Sequence, residues 1–273
     1  MTGPVFSQDG PGVVGVRLIY PEEYPYTGYF RYNLAQGKSR SGEFEVYNRV
    51  SRPVRVKVYS SDVFCSPDGT LSGIILGEEP TSTGTWVEVE DTDLTLAPGE
   101  KKLCSFNYSV PHDAAPGDYF SFIFVEPVER ETQRIIDTSS HGTKSTVNMV
   151  VVQRIGIIIW NRVPGEHIIK LDYSNLEKKI EAGFLQLSFT IFNKGNLFLK
   201  PEIKWRIADD TDRVILGQEV EMYGYLMPGC NNHITIPIIS ERPLPKGTYR
   251  LIVDLSDEQS SHKETKEFPI KLP

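Results

Sequence analysis

Five histidines, three cysteines and two acidic runs are where this 273-residue chain could do chemistry. A histidine works as a general base only with a nucleophile in reach and a partner that orients it. His112-Asp113 sets a base beside an acid in a turn, but no GxSxG elbow exists to present a serine. His141 lies in the polar stretch SSHGTKS, with no second catalytic group to name beside it. His167, His233 and His262 are scattered and share no metal-ligand spacing. Cys65, Cys104 and Cys230 form no CxxC pair, so no zinc site is expected. They read as small buried hydrophobes; a Cys65–Cys104 disulfide, with Cys230 left over, is the alternative. The acidic runs Glu88–Asp93 and Asp209–Asp212 resemble calcium loops only in charge. An EF-hand loop needs glycine at its sixth position and a distal glutamate, and neither run has them. Asp209–Asp212 reads better as a hairpin turn. The expectation is therefore no enzyme, no cofactor and no metal.

Charge and hydropathy exclude further classes. The net charge is −7 and no Lys/Arg tract occurs, which argues against nucleic acid as a partner. The start, MTGPVFSQDGPG, lacks the basic and apolar regions of a signal peptide. The longest apolar-rich run, Val147–Trp160, is broken by Gln153 and Arg154 and is too short for a membrane span. No membrane segment is expected in this chain; whether a leader and an anchor lie outside it stays open.

The elements that must position any site are strands. Val54–Tyr59 alternates apolar with basic residues, and Trp86–Glu90 alternates apolar with acidic ones. Leu185–Phe192 follows the same period of two, expected of a strand with one wet face. Helical periodicity is nearly missing; the short stretch Tyr173–Ala182 is the one exception. A frame also recurs. Pro98 to Tyr119 is 21 positions, and so is Pro228 to Tyr249; Gly99 to Gly117 is 18, as is Gly229 to Gly247. Each copy follows a strand that ends in asparagine, Asn48 or Asn193. Matched spacing across both halves indicates one fold used twice. Asn48 to Pro98 is 50 positions against 35 from Asn193 to Pro228, so the first half carries a 15-residue insertion.

The fold class expected is all-β, two tandem Ig-like β-sandwich domains. The first covers residues 1–162, with an inserted loop at 66–85 and a polar flap at 127–146 that reads as an extended hairpin. The second covers residues 163–273. What the copies do not share is the better place to look for function. IYPEEYPYTGYFRYN, residues 19–33, is dense in tyrosine, whose flat apolar face and polar tip suit recognition of sugars or proteins. The same tyrosines could instead pack on the sandwich. The candidate surface takes Tyr24, Tyr26 and Tyr29 from this segment, Trp86 from the end of the inserted loop and His141 from the flap. An unpaired strand edge offers a second mode of binding, and Thr146–Trp160, read as one long strand, is the candidate for it.

The order of these signatures resembles a known family. Tyr20-Pro21-Glu22, Gly28-Tyr29-Phe30, the strand Phe44–Asn48, the strand Val54–Tyr59, Pro67-Asp68-Gly69, Leu96–Gly99 and Pro116–Tyr119 follow one another. In this the chain is similar to the extracellular region of the WxL-interacting proteins of Gram-positive bacteria. The resemblance covers most of the first half and, more loosely, the second. It implies an N-terminal Ig-like domain associated with peptidoglycan and a second Ig-like domain that binds a partner protein. The family's C-terminal membrane helix has no counterpart here. The function expected is a non-catalytic binding module, extracellular or at the cell surface, attaching to cell-wall glycan (peptidoglycan) or another surface protein. The alternative is a structural subunit of a surface filament, layer or cell-wall complex, self-assembled through Ig-like contacts.

Overall fold

Period-two alternation makes strands of most of this chain, and the computed structural model resolves them into sandwiches. It describes residues 12–20, 28–66, 70–74, 83–128, 131–138, 144–151, 154–181, 184–222, 225–238, 244–257 and 260–272. The chain forms two compact units. One takes Met1–Val63, Gly73–Ala115 and Tyr119–Val163; the other takes Phe64–Ser72, Pro116–Asp118 and Pro164–Pro273.

The strands of the first half are β1 (Val14–Ile19), β2 (Phe30–Tyr32), β3 (Ser39–Asn48), β4 (Val54–Cys65), β5 (Leu71–Ile74) and β6 (Val87–Val89). After them come β7 (Asp93–Leu96), β8 (Lys101–Ser109), β9 (Gly117–Pro127), β10 (Glu131–Thr138), β11 (Lys144–Val151) and β12 (Ile155–Val163). One sheet has the order β1-β3-β8-β6; the facing sheet has the order β2-β12-β9-β4-β5, with β7 also on β4. Between them lies a core that includes Phe44, Val56, Phe106, Tyr108, Ile123 and Ile159. The expected flap is a hairpin: β10 pairs antiparallel with β11 from Glu131↔Val151 to Thr138↔Lys144, as a two-stranded sheet of its own.

The second half has β13 (Leu171–Tyr173), β14 (Glu177–Glu181), β15 (Phe184–Asn193), β16 (Glu202–Asp209), β17 (Val214–Met222), β18 (Asn231–Ile238), β19 (Gly247–Asp257) and β20 (His262–Leu272). Here β13, β14 and β18 all pair with β15, and the second sheet runs β17-β16-β19-β20. Leu187, Phe189, Ile203, Trp205, Leu251 and Val253 are among its core residues. The short helical signal at Tyr173–Ala182 is overridden: β13 and β14 dock on β15, and cross-strand pairing outweighs a weak local preference.

The repeat has a hydrogen-bonded basis. Asn48 is buried, and its Nδ2 donates to Arg52 O at 2.7 Å, Leu96 O at 3.1 Å and Ala97 O at 3.0 Å. Its Oδ1 accepts from Val50 N at 2.9 Å. Asn193 repeats this with Leu197 O at 2.7 Å, Leu226 O at 3.1 Å and Gly195 N at 3.0 Å. Each asparagine thus ties the end of its strand to the Leu-x-Pro-Gly turn far along the chain. Those turns close alike: Glu100 N donates to Ala97 O and Cys230 N to Met227 O, both at 3.0 Å. Gly99 and Gly229 supply φ of 70° and 78°, a region costly for a residue with a Cβ. The closing tyrosines also match. Tyr119 Oη donates to Ala115 O at 2.9 Å and Tyr249 Oη to Pro245 O at 2.8 Å, the tyrosine corner of an Ig-like sandwich.

Two expectations change. Thr146–Trp160 is not one strand: β11 ends at Val151 and β12 begins at Ile155 in a different sheet. None of the three cysteines forms a disulfide, so the Cys65–Cys104 alternative does not hold; Cys104 is buried opposite Phe44 in the core.

Candidate functional site

An edge strand is a row of unpaired peptide groups, and folds blunt it with charge, proline, bulges or shortness. Most edges here are blunted in this way. β5 and β6 have four and three residues. β14 reads EKKIE, β18 carries Pro237, and β20 carries three lysines and Pro269. β17 leaves register with β16 twice. β1 holds an exposed arginine, Arg17, at its middle.

The edge at β12 is different. β2 pairs with it in parallel at only three positions, Ile159↔Phe30, Trp160↔Arg31 and Asn161↔Tyr32. Gly28, with φ of 80°, turns the chain out of the extended conformation before β2 can cover more. Among the described residues, no strand pairs with Ile155–Ile158 on the side that β2 takes beyond them. This segment reads IGII, with no proline and no charge. Ile157 and Ile159 reach into the core, so parity places Gly156, Ile158, Trp160 and Arg162 on the outer face.

That outer face carries a second aromatic layer. Phe120, Phe122 and Phe124 of β9 alternate with its core residues, yet each is at most 7% exposed. Phe120 stacks on Trp160 at 5.8 Å with planes 10° apart, and Phe122 stacks on Phe124 at 5.2 Å. The rings lie close because glycine flanks them: a Cβ at Gly73 would fall 2.0 Å from Phe124, and one at Gly156 3.0 Å.

Three arginines cover this layer. The guanidinium carbon of Arg31 is 4.4 Å from the Trp160 centroid, and that of Arg162 is 5.6 Å from it. Arg154 lies 4.4 Å from the Phe124 centroid, and its Nη2 donates to Gly73 O at 3.3 Å. Beside it Tyr59 Oη donates to Glu126 Oε2 at 2.5 Å. Burial, with the Glu126 hydrogen bond, pushes the Tyr59 hydroxyl above its ordinary range, and Arg154 opposes the shift. Arg31 is exposed and makes no ion pair among the described residues.

The residues singled out from sequence divide. Tyr24, Tyr26 and His141 lie outside the described residues. Tyr29 is half-buried with its ring 6.0 Å from Trp160, so it adjoins the edge. Trp86 does not: it packs against the core, 4.7 Å from Tyr119 and 6.0 Å from Tyr108. The end of the inserted loop is pinned there by buried polar groups. Thr83 Oγ1 donates to Phe120 O at 2.7 Å, Ser121 Oγ to Thr83 O at 2.8 Å, and Gly84 N to Asp62 Oδ1 at 3.0 Å. The sequence reading missed Arg31, Trp160, Arg162 and Arg154. Their signal was parity, because a tryptophan that directly follows Ile159, with Ile157 and Ile159 both facing the core, must lie on the other face. Among the described residues, no three His, Cys, Asp or Glu side chains gather to hold a metal, and no helix is long and apolar enough to cross a membrane.

No protein-family model matches the chain, and no curated protein matches it. Solved structures do. The class 5 fimbriae chaperone CfaA is 14% identical, at a TM-score of 0.43, over 95% of this chain and 100% of that one. A chaperone–tip adhesin complex of CFA/I fimbriae biogenesis is 11% identical, at 0.44, over 95% and 99%. The E. coli chaperone DraB is 14% identical, at 0.38, over 96% and 100%.

Proposed function

We propose that this chain is a non-catalytic protein-binding module that takes an extended segment of a partner as an added strand on β12. The observation that carries the reading is the edge Ile155–Ile158, which no strand pairs beyond β2's reach among the described residues, beside edges that are mostly short, charged, bulged or proline-bearing. Main-chain hydrogen bonds would supply affinity, and the neighbouring side chains would supply selectivity. The hairpin β10–β11 fits the same reading. A two-stranded sheet is marginal alone in water, and a third strand stabilises it.

Protein is favoured over glycan because the two described aromatics of the candidate surface, Tyr29 and Trp86, lean on protein rings. The WxL-interacting resemblance adds a Gram-positive cell surface as the setting, as part of the proposal. The test is a photo-cross-linking residue at Ile158, with a control at exposed Leu103, incubated with cell-envelope extract. The reading expects one extended peptide of a partner joined at position 158 and nothing at 103. Equal labelling at both positions, or retention of glycan alone, contradicts it. A second copy of the chain joined at 158 supports the filament-subunit alternative instead.

A further inference from the structure

We infer that the segment taken up at β12 is acidic, with side-chain carboxylates near both ends of the stretch that pairs. This rests on the strand-addition reading above and names the partner's chemistry.

The chain as a whole carries a charge of −7, yet the open edge is flanked by arginine on both sides. Arg154 immediately precedes Ile155, and Arg162 follows Ile158 by four positions. Arg31 stands opposite Trp160 in the register of β2, at the same end as Arg162. β2 already holds the edge at Ile159–Asn161, so the open stretch, Ile155–Ile158, covers about 13 Å at ~3.3 Å per residue. A strand of about four or five residues there meets Arg154 at one end and Arg31 of β2 at the other.

The charges are also poised for an incoming acid. Arg31 is exposed, with no acidic partner among the described residues, and rests on the Trp160 ring. Stacking fixes the planar guanidinium while its edge stays available, and so less order is lost when a carboxylate arrives. No ion pair of Arg154 occurs among the described residues, and Glu126 accepts from Tyr59.

The probes are three synthetic ten-residue peptides of alternating valine and threonine, acetylated and amidated so that neither end is charged. Two positions four apart, on one face of the strand, carry aspartate, asparagine or lysine. Affinity is read by fluorescence anisotropy, and amide exchange is read at Ile155–Ile158. The inference expects the aspartate peptide to bind roughly tenfold tighter than the asparagine peptide, through two exposed ion pairs. It expects the lysine peptide to be weakest, and added salt to narrow the differences. The double variant Arg31→Gln/Arg154→Gln should reduce the aspartate preference, and Arg31→Lys/Arg154→Lys should restore part of it. A thermal melt of each variant confirms that it folds. Equal binding of the aspartate and asparagine peptides, with slowed exchange at Ile155–Ile158, overturns the acidic preference and leaves strand addition standing. Binding of the aspartate peptide without slowed exchange there overturns strand addition. No binding by any of the three overturns the inference.

Discussion

Arg31 and Trp160 stand opposite each other in the parallel pair of β2 and β12, and the guanidinium carbon of Arg31 lies 4.4 Å from the centre of the indole. The pair marks where β12 stops being an edge. On one side β2 covers it; on the other, Ile155–Ile158 has no described partner strand. Gly28 sets that limit. Gly28→Val should cost about 1–2 kcal/mol of stability by forcing a β-branched residue into positive φ. If the variant relieves that strain by extending β2, exchange at Ile155–Ile158 slows without any partner. Hydrogen exchange with a denaturation curve checks both outcomes.

Asn48 and Asn193 should be equally important in their own sandwiches. Removing either side chain leaves buried carbonyls of two chain segments without donors. Asn48→Ala and Asn193→Ala should each destabilise by about 2–4 kcal/mol, as loss of several buried hydrogen bonds does. Chemical denaturation measures this. A loss under 1 kcal/mol at either site would contradict the role given to it.

Trp86 is expected to act on stability rather than on binding. Its ring packs against Tyr108 and Tyr119 at the margin of the core. Trp86→Ala should cost roughly 2–4 kcal/mol and leave cross-linking at position 158 unchanged below the melting temperature. Full stability with lost binding would return Trp86 to the binding surface.

Cys104 gives the first sandwich a sensitivity to alkali. Burial pushes its thiol from 9.0 up to about 11, with Asp91 adding to the shift and Lys102 opposing it. The folded state therefore favours the neutral thiol. That contribution is whole below pH 9 and is lost as pH rises from 9 toward 11. Melts across this window should show Cys104→Val less sensitive to pH than the parent. Native-state thiol labelling at pH 8 should spare Cys104.

The sequence made the architecture legible because turn chemistry leaves fixed spacings. The two 21-residue frames mark Gly99 and Gly229 in left-handed turns and Tyr119 and Tyr249 at their corners. The asparagines ending β3 and β15 were visible as well, though not the long-range bonds they make. The site was less legible. Tyrosine density drew attention to residues 19–33, of which Tyr29 adjoins the edge. The decisive fact, that β2 stops at Phe30, depends on the φ of one glycine and on pairing across more than 120 positions. Local composition does not encode that. The apolar run of β9 did carry a sign of burial on both faces, since YFSFIFV has no wet side.

Hydrogen exchange at the amides of Ile155–Ile158, with and without the partner segment cross-linked through position 158, tests the central claim most directly. Strand addition predicts that exchange there slows by roughly an order of magnitude or more on binding, while amides on the β17 and β20 edges keep their rates. Unchanged exchange at Ile155–Ile158 under saturating partner would contradict it.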